Sequence, residues 1–234
     1  MIKSVDVKGK TIGFVDSRVG GRSENQDSAG IKDTTLGFLV VVCDGMGGMQ
    51  GGSIASQLAV QKIMETMSSA DKQGNPSMTL IKAIRNANMA IIEEGNDKPE
   101  LKGMGTTVTA LLLTPKCAIT AYVGDSRIYQ LRNGKKIFRT FDHSMVFEMV
   151  KKKVISEEQA RLSAQSNVIL KALGINPDIE VEVETHPYLK GDRFVLCSDG
   201  FWGAMPEEEF IRHLSENKPI DKILESTANL VESI

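Results

Sequence analysis

Two hydrophobic periodicities alternate along the chain. Residues 3–7 and 11–15 are short β-like runs, and the apolar stretch 38–43 reads as a buried strand. A polar loop carrying Arg22 and Asp27 lies between them. Helical spacing then takes over. Across 52–67, Ile54, Leu58 and Met64 join Ala55, Ala59 and Ile63 on one broad face. Across 77–94, Leu80, Ile81, Ile84, Ala87 and Ile91 recur at helical intervals, and Asn75-Pro76 supplies a cap and a first-turn proline. From residue 106 the pattern becomes β-rich. Segments 106–113, 117–123, 127–131 and 136–140 read as strands, with Asn133-Gly134 as a hairpin turn. Two short helices with Lys-, Glu- and Gln-rich faces follow at 144–152 and 156–164. Strands at 179–185 and 193–198 and helices at 207–215 and 220–231 complete the chain. Strand blocks with a helical pair between them predict an α+β layered fold, with 1–234 as a single domain.

Certain polar positions interrupt this pattern where chemistry can sit. Asp44 ends the apolar run 38–43 and is followed by Gly45-Met46-Gly47-Gly48. Asp199, followed by Gly200, closes the strand 193–198, and Asp27 lies upstream. Carboxylates at strand ends beside freely bending backbone suit a hard divalent cation better than a nucleotide phosphate. Lys and Arg number 28 against 30 Asp and Glu, a net charge of −2, which argues against a broad nucleic-acid surface. No apolar run approaches the roughly 20 residues that span a bilayer, and residues 1–6 lack a signal-peptide pattern. Cys43, Cys117 and Cys197 form no close pair, and His143, His186 and His213 are the only histidines. Both facts predict a reduced, cytoplasmic protein with buried thiols and no zinc or disulfide framework.

Rival chemistries fail on spacing. The positions six after the three cysteines are Met49, Val123 and Gly203, so the arginine of a cysteine-based phosphatase is missing. No Gly-Lys-Ser/Thr tripeptide ends a P-loop, and a near-match to the dinucleotide pattern from Gly45 finishes on Gln50.

Six motifs occur in order: Arg22-Ser23-Glu24-Asn25-Gln26-Asp27, Asp44-Gly45-Met46-Gly47-Gly48, Gly103-Met104-Gly105-Thr106-Thr107, Val123-Gly124-Asp125-Ser126-Arg127, Asp142-His143-Ser144 and Ser198-Asp199-Gly200. Each alone is common in turns. Together they resemble the metal-dependent PP2C (PPM) serine/threonine phosphatases, in particular the bacterial branch, from about residue 13 to 231. The resemblance implies a β-sandwich of two antiparallel sheets flanked by helices, with two Mn²⁺ or Mg²⁺ ions at one end. It implies that Asp44 bridges the ions, that Gly45 offers its carbonyl oxygen, that Asp199 ligates one ion, and that Asp27 ligates an ion directly or through an intervening group. Asp125 with Asp199 would hold a third, weaker ion, and Arg22 would grip the substrate phosphate. The segment 144–167 would be a mobile flap. Such a pair of cations lowers the pKa of a shared water enough to attack phosphorus without an enzyme nucleophile. Arginine suits the phosphate because its planar fork holds two oxygens at once. Partners implied are phosphorylated proteins, the products of a serine/threonine kinase.

Two departures from the family stand out. Met46 occupies the place of a histidine proposed, in animal members, to protonate the leaving group, and methionine has no such proton. Residues 229–234 stand where the family continues into an Asp-Asn pair and a last strand. The expectation is therefore a truncated C-terminal end, one anionic metal ligand fewer and an exposed sheet edge. This motivates an alternative reading, a catalytically impaired phosphoprotein-binding or regulatory module. A phosphatase acting on small phosphate esters is a second rival. His143 reads as a satisfied loop histidine that anchors the flap, and the cysteines as core residues. Oxidation of Cys43, beside Asp44, would be one way to disturb the metal site.

Overall fold

The computed structural model describes residues 3–7 and 11–234, with side chains described for 13–47 and 51–234. Strands β1 (Lys3–Val7) and β2 (Thr11–Val15) pair with each other. The larger sheet contains β3 (Asp27–Asp33), β4 (Phe38–Met46), β6 (Val108–Leu113), β7 (Ala118–Val123) and β10 (Glu182–His186), in the order β10-β7-β6-β4-β3. The short β5 (Gly105–Thr106) pairs with the far end of β4. A smaller sheet has the order β11-β8-β9, from β8 (Arg127–Arg132), β9 (Lys135–Arg139) and β11 (Arg193–Cys197). Every described pairing is antiparallel.

Two apolar cores explain the layering. Helices α1 (Gly48–Ser68) and α2 (Pro76–Asp97) bury Ala55, Ala59, Ile63 and Met67 with Leu80, Ala83, Ile84, Ala87 and Ile91. They lie on alternate residues of the large sheet, Leu39, Val41 and Cys43 from β4 and Val108, Ala110 and Leu112 from β6. Each fully buried Leu or Ile contributes about 1.5–3 kcal/mol. The second core joins Tyr129 and Leu131 of β8 to α3 (Met145–Lys151), α4 (Glu157–Arg161), α5 (Asp199–Trp202), α6 (Glu207–Leu214) and α7 (Ile220–Ser233). The result is two antiparallel sheets flanked by helices, the predicted α+β sandwich.

Differences from the sequence reading are local. Asp27 opens strand β3 rather than sitting in a loop. The run Asp-Ser-Ala-Gly-Ile-Lys-Asp lacks β-branched density, and its ladder to β4 overrides that weak propensity. The predicted strand 106–113 breaks at Thr107, whose backbone N–H donates to the Asp44 carbonyl at 2.8 Å. The strand expected at 179–185 lies at Glu182–His186, and the helix expected at 156–164 keeps only Glu157–Arg161. Helix α5 is unanticipated. No described helix is long and apolar enough to cross a membrane.

Candidate active site

Strand direction brings the acidic residues together. Asp27 begins β3 and stands directly opposite Asp44 near the end of the antiparallel β4. Directly opposed residues on adjacent strands have Cβ atoms about 4.5–5.5 Å apart. The second sheet contributes from the same end. Cys197, last in β11, pairs with Arg127, first in β8, so Asp199 and Asp125 leave the sheet side by side. Ser198 joins the two sheets by donating to Asp27 Oδ2 at 2.7 Å. Arg22, Asp27, Asp44, Gly45, Asp125 and Asp199 thus all line one groove of about 2400 Å³, with Arg22 on its exposed rim.

Backbone hydrogen bonds hold this end of the sheets. Asn25 Oδ1 accepts the Asp27 N–H at 3.0 Å, and the Gln26 carbonyl accepts the Gly45 N–H at 3.1 Å. The Asp44 N–H donates to Thr107 Oγ1 at 3.0 Å, and its carbonyl accepts from Thr106 Oγ1 at 2.8 Å. Thr107 Oγ1 also lies 2.8 Å from Ser126 Oγ, beside Asp125. Gly45 has no room for a side chain: an added Cβ would overlap the Gly52 carbonyl and come within 2.8 Å of Gln26 O. Trp202 Nε1 donates to the Asp125 carbonyl at 3.0 Å. Thr106, Thr107, Ser126 and Ser198 lie inside the sequence motifs but carry no predicted role there. Their signal was adjacency to the aspartates.

The electrostatics are those of crowded acids. Burial pushes Asp44 up to about 9, and the charges of Asp27, Asp199 and Asp125 add to the effect. Asp125 is pushed up to about 7, by burial first and then by Asp199 and Asp142. Asp27 is also raised by burial, although the Ser198 hydroxyl opposes the shift.

Among the described residues, no group of three or more His, Cys, Asp or Glu side chains stands close enough to form a complete metal cage. Asp27 and Asp44 share a side-chain hydrogen bond, while Asp199 acts on both and Asp125 on Asp44 through the field. Such a donor set still fits a hard cation. Mg²⁺ keeps several waters and takes one or two carboxylates directly, and all the candidate donors are oxygens. Cys43 is a core residue whose thiol burial holds well above its ordinary value, so it offers little thiolate for oxidation. Cys197 is also buried, whereas Cys117 is half-buried, and none of the three forms a disulfide. His143 has both ring nitrogens engaged by protein groups.

The sequence and the fold both match known proteins. The family profile described as Protein phosphatase 2C matches residues 16–232. The serine/threonine phosphatase stp of Listeria innocua is 33% identical over 209 residues, covering 86% of this chain and 81% of the relative. The crystal structure of the Mycobacterium tuberculosis serine/threonine phosphatase PstP/Ppp has a TM-score of 0.82 at 30% identity, over 93% of this chain and 90% of that one. The catalytic domain of PstP in complex with two manganese ions has a TM-score of 0.79 at 28% identity, over 100% and 90% of the two chains. With the profile spanning nearly all of the sandwich and its acidic end, the chain belongs to the protein phosphatase 2C family.

Proposed function

We propose that this chain hydrolyses phosphoserine and phosphothreonine in proteins with the help of Mn²⁺ or Mg²⁺. The observation that carries the reading is the convergence of Arg22, Asp27, Asp44, Gly45, Asp125 and Asp199 on one groove from both sheets. Asp44, the Gly45 carbonyl and Asp199 would hold two ions, with Asp27 reaching one directly or through a water, and Asp125 with Asp199 would take a weaker third. When bound, these ions compensate phosphate charge and acidify a water for in-line attack. Arg22, exposed at the groove mouth, receives the phosphate with its planar fork. Cys43, the cysteine beside Asp44, is fully buried and so is not placed to serve as a covalent nucleophile. Met46 cannot protonate the leaving alkoxide, so the group departs unassisted or takes its proton through water.

The segment 144–167, containing α3 and α4, is the flap of a single domain. The partners are phosphoproteins made by an opposing serine/threonine kinase, in a reduced cytoplasm that suits three unpaired cysteines. The impaired binding-module alternative has no observation in its favour, since Asp27, Asp44 and Asp199 are all present at the groove.

Phosphate release from a phosphothreonine peptide, followed through a Mn²⁺ titration, tests the proposal. Release should be metal-dependent in the wild type and vanish in Asp44→Asn. A folded wild type that releases no phosphate at any Mn²⁺ concentration would sink it.

A further inference from the structure

Asp142-His143-Ser144 is a motif the chemistry above leaves unused. Asp142 is committed to a buried ion pair with Arg127. His143 is buried and engaged on both sides of its ring. The Gly124 N–H donates to Nδ1 at 3.1 Å, so Nδ1 is the unprotonated nitrogen and the neutral ring carries its hydrogen on Nε2. Nε2 lies 2.8 Å from Glu182 Oε1, and the other Glu182 oxygen accepts from the Tyr122 hydroxyl at 2.6 Å. The Tyr122 ring also stacks on the imidazole, centroids 5.2 Å apart and planes 15° from parallel. The backbone N–H of His143 donates to the Gly124 carbonyl at 2.9 Å.

One residue therefore grips both polar groups of Gly124, immediately before Asp125. This peptide needs holding. Gly124 has φ +107°, and a Cβ there would strike the Thr107 side chain at 2.6 Å. The His143 carbonyl accepts the Leu170 N–H at 2.7 Å, and Ser144 bridges to Ile169. The same residue thus fastens the return of the segment after α4 to the turn that carries Asp125.

We propose that His143 is a positioning residue: its Nδ1, oriented by Glu182 and Tyr122, fixes the Gly124 peptide and so aims the Asp125 carboxylate into the metal site. The role rests on the reading of Asp125 as a metal ligand. An outer hydrogen bond of this kind, acting through a ligand it does not replace, tunes metal affinity rather than substrate binding.

Two variants separate the hydrogen bond from the packing. His143→Asn keeps an acceptor oxygen where Nδ1 stands but loses the ring. His143→Phe keeps the ring but has no acceptor. Free Mn²⁺ is read by its paramagnetic resonance signal during titration, and kcat and KM are measured on a phosphothreonine peptide at saturating Mn²⁺. His143→Phe should weaken Mn²⁺ binding about tenfold or more, with His143→Asn within ~3-fold of wild type and peptide KM little changed in both. A His143→Phe protein that binds Mn²⁺ like wild type, or a His143→Asn protein that is equally weakened, overturns the proposal. Asp125→Asn is run alongside. If it leaves Mn²⁺ binding unchanged, the reading of Asp125 fails, and the positioning role with it. If it weakens binding while His143→Phe does not, only the positioning role fails. Should His143→Phe not fold, Glu182→Ala, which leaves the imidazole in place, must shift Mn²⁺ binding in the same direction, and no shift overturns the proposal.

Discussion

At the residue scale, the site depends on atoms that have no alternatives. A Cβ at position 45 has nowhere to go between the Gln26 carbonyl and Gly52 of α1. Gly45→Ala should therefore cost about 1–3 kcal/mol through overpacking, read as a drop in urea midpoint, and should raise the Mn²⁺ needed for half-maximal phosphate release. Arg22 is a different case, exposed and available to ligand. A charge-assisted hydrogen bond contributes about 1.5–3 kcal/mol, so replacing the fork by a point charge in Arg22→Lys should raise peptide KM ~10-fold. Mn²⁺ binding should be unchanged, and a matching loss of metal affinity would contradict its phosphate role. Away from the site, hydrogen bonds from Arg132 hold Asp192 down at about 2, with the Leu189 N–H and Gln130 amide assisting. Its folded pKa lies below the unfolded value of 3.8, so its stabilisation is present above about pH 4 and is lost as pH falls toward 2. Asp192→Asn should destabilise the protein at pH 6 and make little difference near pH 2, measured by urea unfolding at each pH.

At the element scale, the β3–β4 register matters most. Asp27 opposes Asp44 because each strand residue has a fixed partner across the ladder, and a slip of one residue would turn Asp27 to the other face. Ser198 then couples this ladder to β11 across the sandwich. Helix α2 is tied down independently of the site. Asn75 Oδ1 accepts the Met78 N–H at 3.1 Å, and Pro76 follows at the first helical position. Asn75→Ala should cost about 1 kcal/mol, seen as a lowered melting temperature with unaltered Mn²⁺ dependence.

At the scale of the whole molecule, the smaller sheet and its helices are organised around one buried cation. Arg127 makes a bidentate pair with Asp142, at 2.8 and 2.7 Å, donates to the Tyr129 hydroxyl, and lies 3.3 Å from the Trp202 ring centroid. Removing one partner of a buried pair costs about 3–5 kcal/mol, so Asp142→Ala should be far more destabilising in urea than Asn75→Ala. The groove that holds the acidic end continues between the sheets, past Phe38, Val40 and Leu196 to Leu224 and Val231 of α7. The edge strand β11 borders it.

Local chemistry made much of this readable in advance. Apolar periodicity placed both long helices and most strands, because burial of one face imposes a period of 3.6 or 2 wherever the face is continuous. Asn75-Pro76 and Asn133-Gly134 marked a cap and a hairpin through backbone rules that act within a few residues. Asp44 and Asp199 were legible as candidates because Asp-Gly stood at the ends of apolar runs, whereas Asp125 entered only through the resemblance of its motif. Strand β3 was not, since its own residues have weak β propensity and it forms by pairing with β4, and helix α5 and the break at Thr107 were not, since their partners, Asp125 and Asp44, are distant in sequence. The hydroxyls of Ser198, Thr106 and Thr107 and the ring of His143 likewise gained meaning only from what they touch. The amino-acid sequence by itself determined the acidic and basic candidates, Asp27, Asp44, Asp125, Asp199 and Arg22. Tertiary structure decided that they share one groove, because antiparallel register and the joining of two sheets are set by contacts that no short window of sequence contains.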